Sequence, residues 1–252
     1  MLITTKELLG QNKIIPAFNF STPEICRAIV SACEEERQPA ILQISHSELK
    51  FLELPLASEI AKFFANKAKV AFSLHVDHLK DFAIIGEILS SKTAISSVML
   101  DVEGLGYDEG IADLKKAQAI LPPTFLLEGN LSDYDNAEDF VKKTGIDLLA
   151  PEKNNYVETS TLVALAKQVS LPLVLHGGSG KNAKELGELV KAGIKIFHFN
   201  TALRESWTNA LRQTLLGKPN EVKPHNLLGP SEEAVKKVVK EKISLLRTAL
   251  RS

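Results

Sequence analysis

The residues best equipped for chemistry sit in three short runs. His75-Val76-Asp77-His78 places two imidazoles and a carboxylate within one tetrad, and Leu175-His176-Gly177-Gly178-Ser179-Gly180 sets another imidazole beside a glycine-rich turn. His198-Phe199-Asn200-Thr201 adds a further imidazole and two polar groups. Imidazole nitrogen is a ligand for zinc, and a carboxylate beside such a centre can move a proton on a bound substrate. Residues 75 and 77 share a strand face by the two-residue period, while His78 begins the turn and can swing over the strand end. The tetrad fits equally a hydrogen-bonded core histidine beside a helix N-cap, because the pattern is short. At Gly177, Gly178 and Ser179, backbone N–H groups can approach an anion closely and the serine adds a hydroxyl. The bland reading of that run is a tight turn.

These groups need elements that bring them together. Short apolar, β-branched runs at 14–20, 40–45, 70–78, 97–101, 124–128, 146–150, 171–176 and 194–200 read as strands. Longer amphipathic stretches such as 23–36 and 183–192 read as helices between them. Strand and helix alternating in this way predict an α/β fold, a (β/α)8 TIM barrel, whose active site lies at the strand C-termini. Polar residues collect at those ends: Asn19, Ser45, Asp77 with His78, Asp101, Glu128, His176, and His198 with Asn200. After a turn-rich 218–230, Val235, Val238, Val239, Ile243 and Leu246 recur at helical spacing, predicting a terminal helix over 231–251 that covers the barrel or joins a partner subunit.

Length and charge narrow the classes. The 252 residues suit one barrel domain spanning 1–252, with no Ser/Gly/Pro-rich linker to divide it. Thirty Lys and Arg against 31 Asp and Glu leave no basic field for nucleic acid or an anionic membrane, so phosphate binding must be local. No apolar run approaches the roughly 20 residues of a membrane span, which gives the cytoplasm as the expected location. Cys26 and Cys33, on one helical stretch, lie about 10 Å apart along its axis, too far for a disulfide, and read as buried thiols.

Taken together these segments resemble the class II, metal-dependent fructose-bisphosphate and tagatose-bisphosphate aldolases. The likeness runs nearly end to end: Ile15-Pro16-Ala17-Phe18-Asn19, Ile41-Leu42-Gln43-Ile44-Ser45, Ser97-Val98-Met99-Leu100-Asp101, Leu173 to Gly180, and Leu228-Gly229-Pro230 with Val235 to Ile243. The resemblance implies zinc or another divalent metal on His78 and His176, and Asp77 as the proton-transfer residue. It also implies a substrate pocket at Asn19 and Ser45, and a phosphate site at Gly177, Gly178, Ser179, Asn200 and Thr201. The reaction implied is aldol cleavage of fructose 1,6-bisphosphate, or a related ketose bisphosphate, to dihydroxyacetone phosphate and glyceraldehyde 3-phosphate. A glycolytic role and a homo-oligomer, dimer or tetramer, come with it.

Departures matter as well. The family's third metal histidine follows strand six, but here that strand runs into Pro151-Glu152-Lys153-Asn154-Asn155-Tyr156, without histidine. The segment from Asp147 to His176 is shorter than the family's by about nine residues against usual βα loop lengths. The expected replacement ligand is His198, on the inward face with Asn200, or Glu128, whose competing role is to orient a metal histidine. A Schiff base on Lys153 is disfavoured, because a lysine in a polar turn has nothing to lower its pKa. The reading from a different class is a catalytically impaired barrel that binds sugar phosphates.

Overall fold

In the computed structural model, which describes residues 1–132, 134–152 and 157–251, the ladder closes on itself. The strands β1 (Ile15–Asn19), β2 (Ala40–Ser45), β3 (Phe72–Leu79), β4 (Ile95–Leu100), β5 (Leu126–Leu131), β6 (Leu148–Pro151), β7 (Leu173–Leu175) and β8 (Ile194–Phe199) are parallel neighbours in sequence order. The seam pairs β1 with β8 and sets Ala17 opposite His198. The helices are α1 (Thr5–Gln11), α2 (Pro23–Glu35), α3 (His46–Leu52), α4 (Leu54–Ala65), α5 (Phe82–Ser90), α6 (Tyr107–Ile120), α7 (Ala137–Thr144), α8 (Thr159–Gln168), α9 (Ala183–Ala192), α10 (Thr201–Gly217) and α11 (Pro224–Arg251). This is the α/β TIM barrel that the alternation predicts.

Period-two alternation sorts every strand into two faces. Phe18, Leu42, Val76, Leu127, Leu149 and Phe197 face outward into the layer beneath the helices. Ile15, Ala17, Ile41, Met99, Leu126, Leu148, Ala150, Val174 and Ile196 face inward and fill the lower barrel together with Leu8 of α1. Following the inward positions upward, the side chains turn polar: Ile15, Ala17, then Asn19; Leu126, then Glu128 and Asn130; Ile196, then His198. This gradient delivers polar groups to the end where the strands stop.

Some boundaries differ from the sequence reading. Strand β5 runs to Leu131, so Glu128 lies inside the strand and not at its end. Both Glu128 and Asn130 are bonded within the barrel, so their polarity does not stop the ladder. Strand β7 ends at Leu175 and leaves His176 in the turn. Helix α11 begins at Pro224, ahead of the expected residue 231. The Glu221 carboxylate accepts from the Val222 and Lys223 amides at 3.0 Å each and seeds the helix inside a stretch that reads as turn-rich.

Helix α11 packs against α2, α9 and α10 of its own chain and buries Val235, Val239, Ile243 and Leu246. Ion pairs Arg27–Glu232, Lys236–Glu35 and Arg247–Glu36 border that seam. Its Lys242 Nζ donates to the Ser179 carbonyl at 3.0 Å and so reaches the turn after β7. Cys26 and Cys33 are buried free thiols, and burial pushes both pKa values upward. Among the described residues no helix is long and apolar enough to cross a membrane.

Candidate active site

His78 would face outward by strict alternation after Asp77. A register shift in β3 between Val76 and Leu79, with His78 at φ +50°, turns it into the barrel mouth instead. A left-handed non-glycine residue costs of the order of 1–3 kcal/mol and persists only where its surroundings enforce it. Its Nδ1 lies 3.5 Å from Asp101 Oδ2. Asp101 is itself held by Asn130 Nδ2 at 2.7 Å, and Asn130 Oδ1 accepts the Val102 amide at 2.9 Å. The other nitrogen, Nε2, faces His176 Nδ1 at 3.2 Å.

His176 is anchored in the same manner. Its Nε2 lies 2.9 Å from Glu128 Oε1, and Glu128 is 1% exposed. A chain of contacts backs that carboxylate: His75 Nε2 lies 3.9 Å from Glu128 Oε2, His75 Nδ1 bonds Ser97 at 2.9 Å, and Ser97 meets Thr5 at 2.8 Å. On the open side, Glu152 Oε2 stands 3.8 Å from His176 Nδ1. Glu152 is 3% exposed, and among the described residues that oxygen has no hydrogen-bond partner.

Asp77 completes the group. Its Oδ1 is 3.8 Å from His78 Nε2 and 3.6 Å from His198 Nδ1, and among the described residues neither Asp77 Oδ1 nor His198 Nδ1 has a hydrogen-bond partner. The His198 ring stacks on His176 with centroids 4.3 Å apart. Burial and the neighbouring His176 pull His198 down to about 3, so it is a neutral imidazole. Burial opposes a charge on His78, yet the bond to Asp101 and the charges of Asp77 and Glu152 outweigh it and push His78 up to about 9. Burial disfavours the ionised forms of Asp77 and Glu128, but the surrounding histidines hold both below the usual carboxylate range. Glu152 is shifted upward, chiefly by burial. Asp77, Asp101, Glu128 and Glu152 have side chains at most 5% exposed, and the facing positive charge comes from the histidines between them and from Lys80 Nζ, 3.6 Å from Asp101.

The sequence-derived residues converge on one cavity of about 520 Å³, within the range of small-molecule sites. Asn19, Ser45, Asp77, His78, His176, Gly177, Ser179, His198, Asn200 and Thr201 all line it. Gly177 takes φ +70°, which suits glycine and turns the chain over the mouth. Gly178 instead packs beneath the turn, where an added Cβ would meet the His198 carbonyl and the Phe199 ring at 3.2 Å. Asn19 donates to Glu48 at 3.2 Å and accepts from Gln43 at 2.5 Å. Ser45 and Glu48 form the capping box of α3, and Arg204 donates to Glu48 at 2.9 Å.

Among the described residues, two groups of potential metal donors lie within 4.8 Å of one another: His78, Glu152 and His176, and Asp77, His176 and His198. Glu128 belongs to neither and sits on the opposite edge of the His176 ring. Glu152, Asp101 as the partner of His78, and the Glu48–Arg204 pair escaped sequence reasoning. The alternation Leu148, Ala150, Glu152 and the capping spacing Ser45 to Glu48 were signals for two of them. Lys153 lies outside the described residues.

A family model described as fructose-bisphosphate aldolase class-II matches residues 4–124 and 126–251. The chain is 27% identical to a probable fructose-bisphosphate aldolase of Bacillus subtilis, covering 95% of this chain and 93% of that protein. It is 26% identical to a fructose-bisphosphate aldolase of Thermus caldophilus, over 97% and 98% of the two chains. The crystal structure of the YdjI aldolase of Escherichia coli K12 superposes with a TM-score of 0.85 at 25% identity, covering 100% of this chain and 99% of that one.

Proposed function

The chain belongs to the class II fructose-bisphosphate aldolase family, an aldehyde-lyase family, and from that premise we propose that it reversibly cleaves fructose 1,6-bisphosphate to dihydroxyacetone phosphate and glyceraldehyde 3-phosphate. The observation that carries this reading is the meeting of His78 and His176 nitrogens at 3.2 Å with the buried Asp77 carboxylate 3.8 Å from His78, inside a cavity that also holds the glycine turn. The unpartnered Glu152 and Asp77 oxygens and the facing imidazoles are a donor set that fits zinc or another divalent metal. Such a metal, when bound, supplies Lewis-acid polarisation of the ketone and stabilises charge that develops as the C3–C4 bond breaks.

The protein's own groups do the rest. Asp77, kept ionised by its histidine neighbours, accepts the C4 hydroxyl proton and returns it in the condensation direction. His198, neutral and 3.6 Å from Asp77, donates or accepts a hydrogen bond at a substrate oxygen beside that proton path. The turn at Gly177 to Ser179 and the start of α10 at Thr201, with Asn200, hold one phosphate at helix and turn N–H groups. Asn19 and Ser45 form the facing wall. A homo-oligomeric assembly, dimer or tetramer, is part of this reading.

One observation favours a second reading, a sugar-phosphate binder without turnover: strand six is followed by Glu152 where the family resemblance expects histidine. Purified protein supplied with zinc and fructose 1,6-bisphosphate separates the two. Release of triose phosphates in a coupled assay is expected. Calorimetric binding of the sugar without any cleavage would replace the aldolase reading with the binder.

A further inference from the structure

We propose that Glu152 is the third protein ligand of the metal, forming with His78 Nε2 and His176 Nδ1 a two-histidine, one-carboxylate centre. This rests on the metal-dependent reading of the site and not on which ketose is cleaved. Strand β6 carries Leu148 and Ala150 inward, and the Glu152 amide still donates to the Leu131 carbonyl at 3.0 Å, so the inward alternation continues one step past the strand. That step puts the carboxylate in the mouth layer without any loop. A histidine-bearing loop is therefore not needed to fill this corner.

Donor spacing supports the assignment. Bonds of roughly 2.1 Å in a tetrahedral shell place donor atoms roughly 3.4 Å apart. His78 Nε2 and Glu152 Oε2 stand 3.2 Å and 3.8 Å from His176 Nδ1, on either side of that value. The outer nitrogens of both histidines are committed to carboxylates, Nδ1 of His78 to Asp101 and Nε2 of His176 to Glu128. Those contacts are the outer-edge carboxylate partners that metal-bound histidines generally have, and a metal would displace the proton shared between the two inner nitrogens. Among the described residues Glu152 Oε2 is buried without a partner, lacking the hydrogen bond that a purely structural carboxylate would have. Of the two alternatives, Glu128 holds the far edge of His176, while His198 belongs with Asp77 and His176 to the second donor group, which does not include His78.

The test uses the chelator-treated 252-residue protein, titrated with Zn²⁺ against a chromophoric chelator and with Co²⁺ for its d–d absorption. Parent protein is expected to bind one ion per chain. Glu152→Gln, nearly isosteric, should lose at least about 100-fold in affinity and change the cobalt bands, and Glu152→His should restore affinity with altered bands. Glu128→Gln, which removes an orienting contact, should cost about 10–100-fold while leaving the bands in place. His198→Ala should bind within a few-fold of parent. Thermal unfolding of each metal-free variant identifies any that fail to fold, and Glu152→Asp then takes the place of Glu152→Gln. Parent-like affinity and bands in Glu152→Gln, or a loss in His198→Ala as large as in His176→Ala, would overturn the assignment. A parent that binds metal through Glu152 yet cleaves no ketose bisphosphate removes the aldolase reading and leaves the ligand set standing. A parent that binds neither ion removes both.

Discussion

At the end of the barrel where the strands begin, α1 plugs the interior: Leu8 joins Ile15, Ile41, Leu126 and Ile196, and the Thr5 amide and hydroxyl meet Ser96 and Ser97 at 2.9 and 2.8 Å. At the other end, Asp77 Oδ1, Glu152 Oε2 and His198 Nδ1 are as deeply buried but lack partners. Native interiors pair nearly all buried polar atoms, and although single orphans such as Ser73 and Gln118 occur elsewhere, these three face one another across the barrel mouth, where a ligand can satisfy them. The closed end holds the barrel together, and the open end holds carboxylates and imidazoles whose inner atoms face one another across the mouth.

Substitutions at the two ends should therefore separate activity from stability. The largest effect is expected at the open end, where Asp77→Asn should slow ketose-bisphosphate cleavage by about 10²–10⁴-fold while the protein stays folded and keeps its substrate binding. Steady-state kinetics with parallel calorimetry checks both halves; unchanged turnover would move the proton-transfer role elsewhere. At the closed end the pattern should invert. Leu8→Ala should cost about 2–5 kcal/mol in denaturant unfolding while kcat stays near the parent value, because the cavity forms a barrel's depth away from the chemistry. A folded Leu8→Ala protein with parent stability but little activity would break the comparison.

The smallest effect belongs to neither end. Glu35 pairs with Lys236 and Lys240 across the α2–α11 seam, and those bonds hold its pKa at about 2 against an ordinary 4.5. A depressed carboxylate contributes its full stability above the unfolded value and loses it as pH falls from about 4.5 through about 2. Since Glu35 is largely solvated and screened, the contribution is below about 1 kcal/mol. Glu35→Gln should flatten only that small acid limb of the melting temperature, and identical acid profiles for parent and variant would show that the seam is held by its apolar face alone.

The barrel was legible because alternation of short apolar runs with amphipathic helices leaves few other architectures, and the glycine turn at Gly177 announced itself by composition. The metal corner was only partly legible. Glu152 sits beside Pro151 in a polar stretch that reads as a truncated loop, although its parity with Leu148 and Ala150 carried the information. The reach of His78 was not encoded in spacing at all, because it depends on a register shift and a left-handed backbone. The role of Glu128 depends on which edge of the His176 ring it meets, and ring orientation is a tertiary fact.

The seam between β1 and β8 also bears on the order in which the molecule is born. A ribosome releases Asn19 long before His198, and the chain that ties Ser179 from behind, through Lys242 of α11, emerges later still. The meeting of Asp77 with His198 thus waits for β8 to be made and to pair with β1.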